Sequence, residues 1–328
     1  MIQWIARFFL AKSLRFVILA TAVAILSFTL VSFSPIDPIR AYVGTDMLTI
    51  SSEQRELISK RWGLDQPALT RLFLWFKQIA SGNLGHSMIF DEPVSKVIAK
   101  RFTTSLMLMA LAWTLSGVLG FIFGSLAGIY KDSFLDRIIR WYAYTLASTP
   151  AFWIGLILLT TFSVSMDLFP ICCARPPGIG PDEVTIWNHL HHLLLPAATL
   201  SVIGVANITL HTREKMIDSM QSDYALYAHA IGDNTFGIGI FHGLRNAVLP
   251  AITLQFATLG ELFGGSVLAE QVFSYPGLGQ ATVLAGTRGD VPLLMGIVLF
   301  SCFFVYCGNT LADLIYTWID PRMRKEVG

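Results

Sequence analysis

DYALYAHAIGDNTFGIGIFHGLRNAVLP, residues 223–250, is a short stretch of polar and small residues set between two long apolar runs. Its first part, YALYAHAI, can form two helical turns carrying the small side chains Ala225, Ala228 and Ala230. Gly232 then supplies the conformational freedom for a turn. A second amphipathic piece, FGIGIFHGLRNAV, leads to Pro250, which is expected to open the next apolar helix, where its missing N–H is harmless. A short helix with small side chains lets its backbone approach a neighbour closely. From the residues alone the segment reads either as a connecting loop or as a docking handle.

The sequence on either side is far more apolar. The chain has 328 residues, 54% hydrophobic and 14% charged. Soluble domains carry about 25% charged residues, so this one has too few to cover a globular surface in water. The length would allow two soluble domains, but the composition points to a single polytopic bundle. A net charge of +1 gives no argument for nucleic acid. Four cysteines in a chain this long are not a disulfide framework. A bilayer-crossing helix needs about 20 mostly apolar residues. Six stretches qualify, at 14–33, 104–130, 141–168, 193–212, 249–272 and 292–318. The first is longer than the ~7–15 residues of a signal-peptide core. SPIDPIR follows it without a small-x-small cleavage site, so it is expected to be a retained span. The expected fold class is therefore all-α, with six transmembrane helices.

Orientation follows from Lys and Arg in the short loops. Arg7, Lys12 and Arg15 precede the first span, Lys131, Arg137 and Arg140 follow the second, and Arg213, Lys215 and Arg245 follow the fourth. Arg322, Arg324 and Lys325 form a basic tail, whereas the two short loops on the other side hold only Arg175 and Arg288. Residues 34–103 are also basic, but long loops translocate largely regardless of charge. Both termini and the segment at 213–249 are thus expected in the cytoplasm. Residues 1–103 form a first region, a span plus a long outer loop; residues 104–328 form a core of five spans. In the loop, Ser51 and Gln54 fit a capping box for a helix ending near Gly63. Pro67 can start a second helix, with Leu72, Phe73, Phe76 and Ile79 at helical spacing and Gly82 at its end. That helix is expected to cap the outer ends of the spans.

Several chemistries are absent from the sequence. It has no G-x-x-x-x-G-K-[ST], so no phosphate-cradling loop, and no H-E-x-x-H zinc helix. No Ser–His–Asp set can be argued, because six of the seven histidines gather at 189, 191 and 192 and at 211, 229 and 242. Any nucleotide-driven work requires another subunit.

Ala228, Ala230 and Gly232, followed by LRNAVLP (244–250), closely resemble the EAA-type coupling loop of bacterial ABC importer permeases, in the oligopeptide/dipeptide/nickel branch. The resemblance covers nearly the whole chain. SPIDPIRAYVG (34–44), GLDQP (63–67), GNLGHS (82–87), RFTTSL (101–106), HLLLPAATLS (192–201), AEQVFSYPGLG (269–279) and WIDPRMR (318–324) fall in order along it. Departures are Ile36 where Gly is usual, Tyr227 where the loop motif has Glu, and Ile231 where Lys is common. The resemblance implies a type I importer permease in the bacterial inner membrane, surrounded by lipid. It implies pairing with a second, related permease chain and docking of two cytoplasmic ATPase subunits, which bind ATP and Mg; this chain holds no cofactor and is not catalytic. An extracytoplasmic solute-binding protein would deliver a peptide or a nickel or other metal chelate. The residues carried into the ATPase-coupling role are Asp223, Tyr224, Tyr227, Ala228, His229, Ala230, Gly232, Arg245, Asn246 and Pro250.

Glu261 lies near the middle of the fifth span. A carboxylate at that depth costs roughly 2.5–3.5 kcal/mol or more, so it faces the bundle or a wet cavity. It reads as a pathway residue for a cationic or amine-bearing solute, or as a hydrogen-bond partner of a neighbouring helix. Gly264 and Gly265 beside it are expected to permit close helix packing. Cys172, Cys173, His189, His191 and His192 share one outer loop; thiolate and imidazole suit soft or borderline metals, but adjacent cysteines pair poorly and no metal site is assigned. Cys302 and Cys307 read as small buried apolar residues. YPGLG (275–279) reads as a turn shaping the pathway mouth, with a short helix after it. Asp320-Pro321 ends the last span. Rival readings are a secondary transporter or channel working without an ATPase, and a membrane receptor or scaffold. The first would need several buried ionisable residues in the spans, the second a sizeable cytoplasmic domain.

Overall fold

The computed structural model describes residues 2–33, 65–178, 180 and 183–319, with single positions at 39, 51, 53, 56, 57 and 59. Gln54 of the expected capping box, much of SPIDPIRAYVG and the basic tail lie outside the described residues. Among the described residues the regular structure is helical. Helix α1 spans Ile2–Ser32, α2 Ala68–Ala80, α3 Val94–Ile129 and α4 Phe134–Ser148. Helix α5 runs over Ala151–Ser165, its last seven residues, Leu159–Ser165, in π geometry. Helix α6 spans Ile186–Met220 and α7 Asp223–Ala230. Helix α8 covers Thr235–Ala257 with a π turn at Gly239–Gly243, and α9 covers Leu259–Val272. Helices α10 and α11 span Leu278–Arg288 and Val291–Ile319.

Among the described residues, four helices are long and apolar enough to cross a membrane: Lys12–Leu30 within α1, then α3, α6 and Val291–Ile315 within α11. The 35 residues of α6 reach about 52 Å at 1.5 Å per residue, well beyond a hydrocarbon core of about 30 Å. The other two expected spans are not straight helices. The stretch expected at 141–168 breaks between α4 and α5, which meet at 106°. Pro150 is the cause: its ring excludes the preceding residue from helical geometry, and Thr149 is extended at φ −101°, ψ 129°. The stretch expected at 249–272 bends by 55° at Thr258, between α8 and α9. If each bent pair counts as one span, the total is six.

Pro250 does not open its helix. The helix starts upstream, where Asn234 caps it by accepting a 2.6 Å hydrogen bond from the Gly237 N–H. Pro250 therefore lies inside the helix and leaves the Asn246 carbonyl without its usual donor one turn later.

The chain divides into two compact units, one drawn from residues 1–103 and 277–306, the other from 104–276 and 307–327. In the first, Ala24 and Phe28 of α1 and Met295 of α11 form a buried cluster covered by Leu72, Trp75 and Phe76 of α2. The apolar face of α2 thus includes Trp75, while Phe73, expected to pack, is 69% exposed. Asp290 ties a loop to the start of α11. Its Oδ2 accepts from Ser87 Oγ at 2.7 Å, Met88 N at 2.8 Å and Ile89 N at 3.0 Å, and its Oδ1 from Leu293 N at 3.1 Å.

In the second unit α3 and α6 approach closely along a glycine row. A Cβ on Gly120 would lie 2.7 Å from Ile208 Cβ, on Gly124 2.5 Å from the Thr209 carbonyl oxygen, and on Gly128 2.3 Å from Met216 Cβ. Small residues at this spacing let membrane helices pack backbone to backbone. The expected close contact at Gly264 is not made, since a Cβ there meets nothing within 4 Å; a Cβ on Gly265 would lie 3.1 Å from Leu200 Cδ1.

Candidate functional site

The polar joint at the end of α6 is built on a buried ion pair. Ser133 caps α4 by accepting from the Asp136 N–H at 3.2 Å, which places Asp136 in the first turn facing α6. Arg213 of α6 clasps this carboxylate with two bonds, Nε to Oδ1 at 2.6 Å and Nη2 to Oδ2 at 2.9 Å. The Asp132 N–H donates to Oδ2 at 2.9 Å, and Arg140 Nε lies 3.3 Å from Oδ1. Nη1 of Arg213 donates to Glu214 at 2.7 Å. Asp136 is fully buried and Arg213 nearly so. A fork of guanidinium on carboxylate gives the pair a fixed geometry, so the last two turns of α6 are held against α4.

Helix α7 hangs from that end. Tyr224 reaches back to Ser219, their hydroxyls hydrogen-bonded. Asn246 of α8 donates to the Tyr224 hydroxyl at 2.7 Å and to the His242 carbonyl at 3.1 Å. Three helices meet in this knot, which fixes the angle of α7 to its neighbours. Ala225 and Ala228 are buried against Ile238, with Met220 beside them. Helix α7 stops in a Schellman arrangement: Gly232 N–H donates to His229 O at 3.1 Å and Asp233 N–H to Ala228 O at 3.0 Å. Gly232 sits at φ +103°, a conformation L side chains rarely adopt.

These contacts sort the residues expected to couple to an ATPase. Ala228 faces inward, so its small size serves packing within the chain. Tyr224 and Asn246 form the knot, Gly232 makes the turn, and Pro250 lies a turn beyond. Asp223, Tyr227, His229, Ala230 and Arg245 are exposed. The outward surface also includes Leu226, Ile231 and Phe241, at 58, 63 and 76% exposure; motif reading passed over Leu226 and Phe241 and noted Ile231 only as a departure from the family's pattern. It likewise passed over Asp136, Ser219 and the role of Arg213 inside the fold. The S-x-x-D pattern at 133–136 signals a helix start; nothing in it names Arg213.

Glu261 occupies the first turn of α9 and is exposed. It makes no hydrogen bond or ion pair with another described residue. Elsewhere, the loop after α5 carries a disulfide between the adjacent Cys172 and Cys173, contrary to the expectation that such neighbours pair poorly. All three histidines engage backbone carbonyls: His189 Nδ1 that of Ala174 at 3.2 Å, His191 Nε2 that of Leu168 at 2.8 Å, and His192 Nδ1 that of Cys172 at 3.0 Å. They staple the loop to α6. Cys302 is half-buried and Cys307 exposed, so neither is the fully buried small residue expected.

With this geometry established, comparison with known proteins is informative. Residues 120–325 match the model of the family described as binding-protein-dependent transport system inner membrane component. The oligopeptide transport system permease protein AppB of Bacillus subtilis (strain 168) is 32% identical over 319 residues, 97% of this chain and 99% of that protein. A putative peptide permease protein of Brucella suis biovar 1 is 36% identical over 304 residues, 92% of this chain and 94% of the other. The glutathione transport system permease protein GsiC of Escherichia coli O6:H1 is 32% identical over 305 residues, covering 93% and 94%. Among solved structures, a crystal structure of an amino acid ABC transporter with histidines aligns with TM-score 0.48 and 14% identity, over 69% of this chain and 94% of that one.

Proposed function

The chain belongs to the binding-protein-dependent transport system inner membrane component family, and on that premise we propose that it carries peptides inward while ATPase subunits drive it through α7. It is a multi-pass permease subunit of an ABC importer in the bacterial inner membrane. The peptide assignment draws on relatives named as peptide, oligopeptide and glutathione permeases, none of which is named for nickel or a metal chelate. Both termini and α7 lie in the cytoplasm on the Lys and Arg balance of the short loops. A second permease chain completes the passage, two ATPase subunits supply ATP and Mg chemistry, and a solute-binding protein delivers the peptide outside. Hydrolysis belongs to those partners, because this sequence has no phosphate-cradling loop.

The observation that carries the docking reading is the asymmetry of α7. Its small residues Ala225 and Ala228 are buried inside the chain, and its outer face presents Leu226, Tyr227 and Ile231 exposed among the described residues. Exposed apolar side chains clustered on a rigidly held helix mark an interaction site. ATP-driven closure of the partners would press on α7, and the knot at Tyr224 and Asn246 would pass the displacement to α6 and α8. Rocking of packed helices about a fixed site is the general physics of such transporters.

The test is purification with the co-expressed neighbours and measurement of ATPase activity and uptake in vesicles. Wild type should copurify with an ATPase and take up peptide only with ATP, whereas Tyr227→Asp should insert normally and lose the ATPase. Uptake persisting on an ion gradient without any ATPase would replace the importer with a secondary transporter.

A further inference from the structure

We propose that one face of α9 lines the solute passage and that the Glu261 carboxylate receives the ammonium group of the solute crossing it. The inference rests on the importer reading above and adds to it a ligand-facing surface and the chemistry it recognises. Glu261, Gly264, Leu268 and Gln271 are exposed at successive intervals of three, four and three residues, which puts them on one side of α9, and Ala257, just across the bend at Thr258, is exposed as well. The opposite side, with Leu262, Ser266 and Ala269, is buried. Among the described residues, a Cβ on Gly264 would meet no atom within 4 Å, so there is open room beside the stripe at that point.

The stripe has the wrong chemistry for lipid. It carries a carboxylate in the midst of a membrane-spanning pair of helices, with no partner among the described residues. Ionisable groups in such positions face water, a cation or both. The rest of the stripe is undemanding: two small residues, one leucine and one amide. That combination suits solutes whose side chains vary but which share one charged group. Peptides with a free amino terminus are such a class, and a single carboxylate among small residues can engage the shared ammonium while leaving the variable parts uncontacted.

The test uses the complex with its co-expressed partners in membrane vesicles, in a Cys302→Ser, Cys307→Ser background. Ala257→Cys, Gly264→Cys and Leu268→Cys are compared with the inward-facing Leu262→Cys and Ser266→Cys. The probes are a cationic trimethylammonium and an anionic sulfonate thiosulfonate, both water-soluble. The stripe positions should react and the inward ones should not. At Gly264→Cys the preference for the cationic probe should fall by about tenfold when Glu261→Gln is added, as expected for removing a local field. Glu261→Gln should also slow ATP-dependent uptake of a free-amino dipeptide with unchanged ATPase copurification, and Glu261→Asp should restore most of it. Stripe cysteines that stay unlabelled would show a face packed against another chain and overturn the proposal. So would labelling whose charge preference ignores Glu261. The importer reading fails on a separate result, absence of ATP-dependent uptake by wild-type vesicles, whatever the labelling shows.

Discussion

Asp136 and Glu261 are both carboxylates in the first turns of helices belonging to bent membrane-spanning pairs, and the fold treats them in opposite ways. Asp136 is sealed inside, clasped by Arg213 and a backbone N–H, with Arg140 beside it. Glu261 is open and has no partner among the described residues. Identical chemistry is therefore placed in two ways: the first carboxylate holds the joint from which α7 is hung, and the second stands exposed on its helix. The same contrast separates the glycines. Gly124 touches the α6 backbone, whereas Gly264 faces empty space.

Removing the sealed carboxylate should produce the largest effect. Asp136→Ala leaves the Arg213 guanidinium buried and uncompensated, a loss of about 3–5 kcal/mol. Unfolding in mixed detergent micelles should show it, with poor recovery of folded protein; an unchanged midpoint would mean that the pair does not hold the joint. Glu261→Gln, its counterpart, should stay within about 0.5 kcal/mol of wild type in the same measurement. Next comes overpacking: Gly124→Ala must push the α6 backbone away and should lose about 1–3 kcal/mol. Gly264→Ala, with room for the methyl, should unfold like wild type, and equal losses at both glycines would erase the distinction between them.

Two smaller changes probe the joint itself. Gly232→Ala forces a side chain into a left-handed backbone and should destabilise the end of α7 by about 1–2 kcal/mol. Hydrogen exchange at the amides of Gly232 and Asp233 should quicken while the core of α6 stays protected. Tyr224→Phe removes the hydroxyl shared with Ser219 and Asn246, worth about 1 kcal/mol. It should weaken ATPase stimulation by peptide more than ATPase copurification. Equal loss of both would place Tyr224 in the docking surface rather than in the joint.

The spans in α1, α3, α6 and α11 were legible because each is a long apolar run that requires no knowledge of its neighbours. The segment at 223–250 was legible as a short helix, a glycine turn and a second helix for the same reason. Other features depended on contacts. Pro150 carries a local signal, yet the apolar run through it outweighed that signal and concealed the break between α4 and α5. On α2, helical spacing put Phe73 on the apolar face and left Trp75 out, and only the packing against α1 and α11 brought Trp75 in. On α7 small size implied close approach to something; the structure shows that Ala228 approaches Ile238 and Met220 of its own chain.

By itself the sequence determined that this is a helical membrane protein, that a short segment of polar and small residues interrupts its apolar runs, and that it lacks a phosphate-binding loop. Those properties are sums over neighbouring residues, and hydropathy, charge balance and motif spacing are all local sums. Only the tertiary structure decided that Arg213 meets Asp136, 77 residues away, and that Tyr224 meets Asn246, 22 residues away. It alone decided which carboxylate is satisfied and which is left open. The reason is physical: a buried charge is stable only beside its partner, and which groups become neighbours depends on the packing of whole helices.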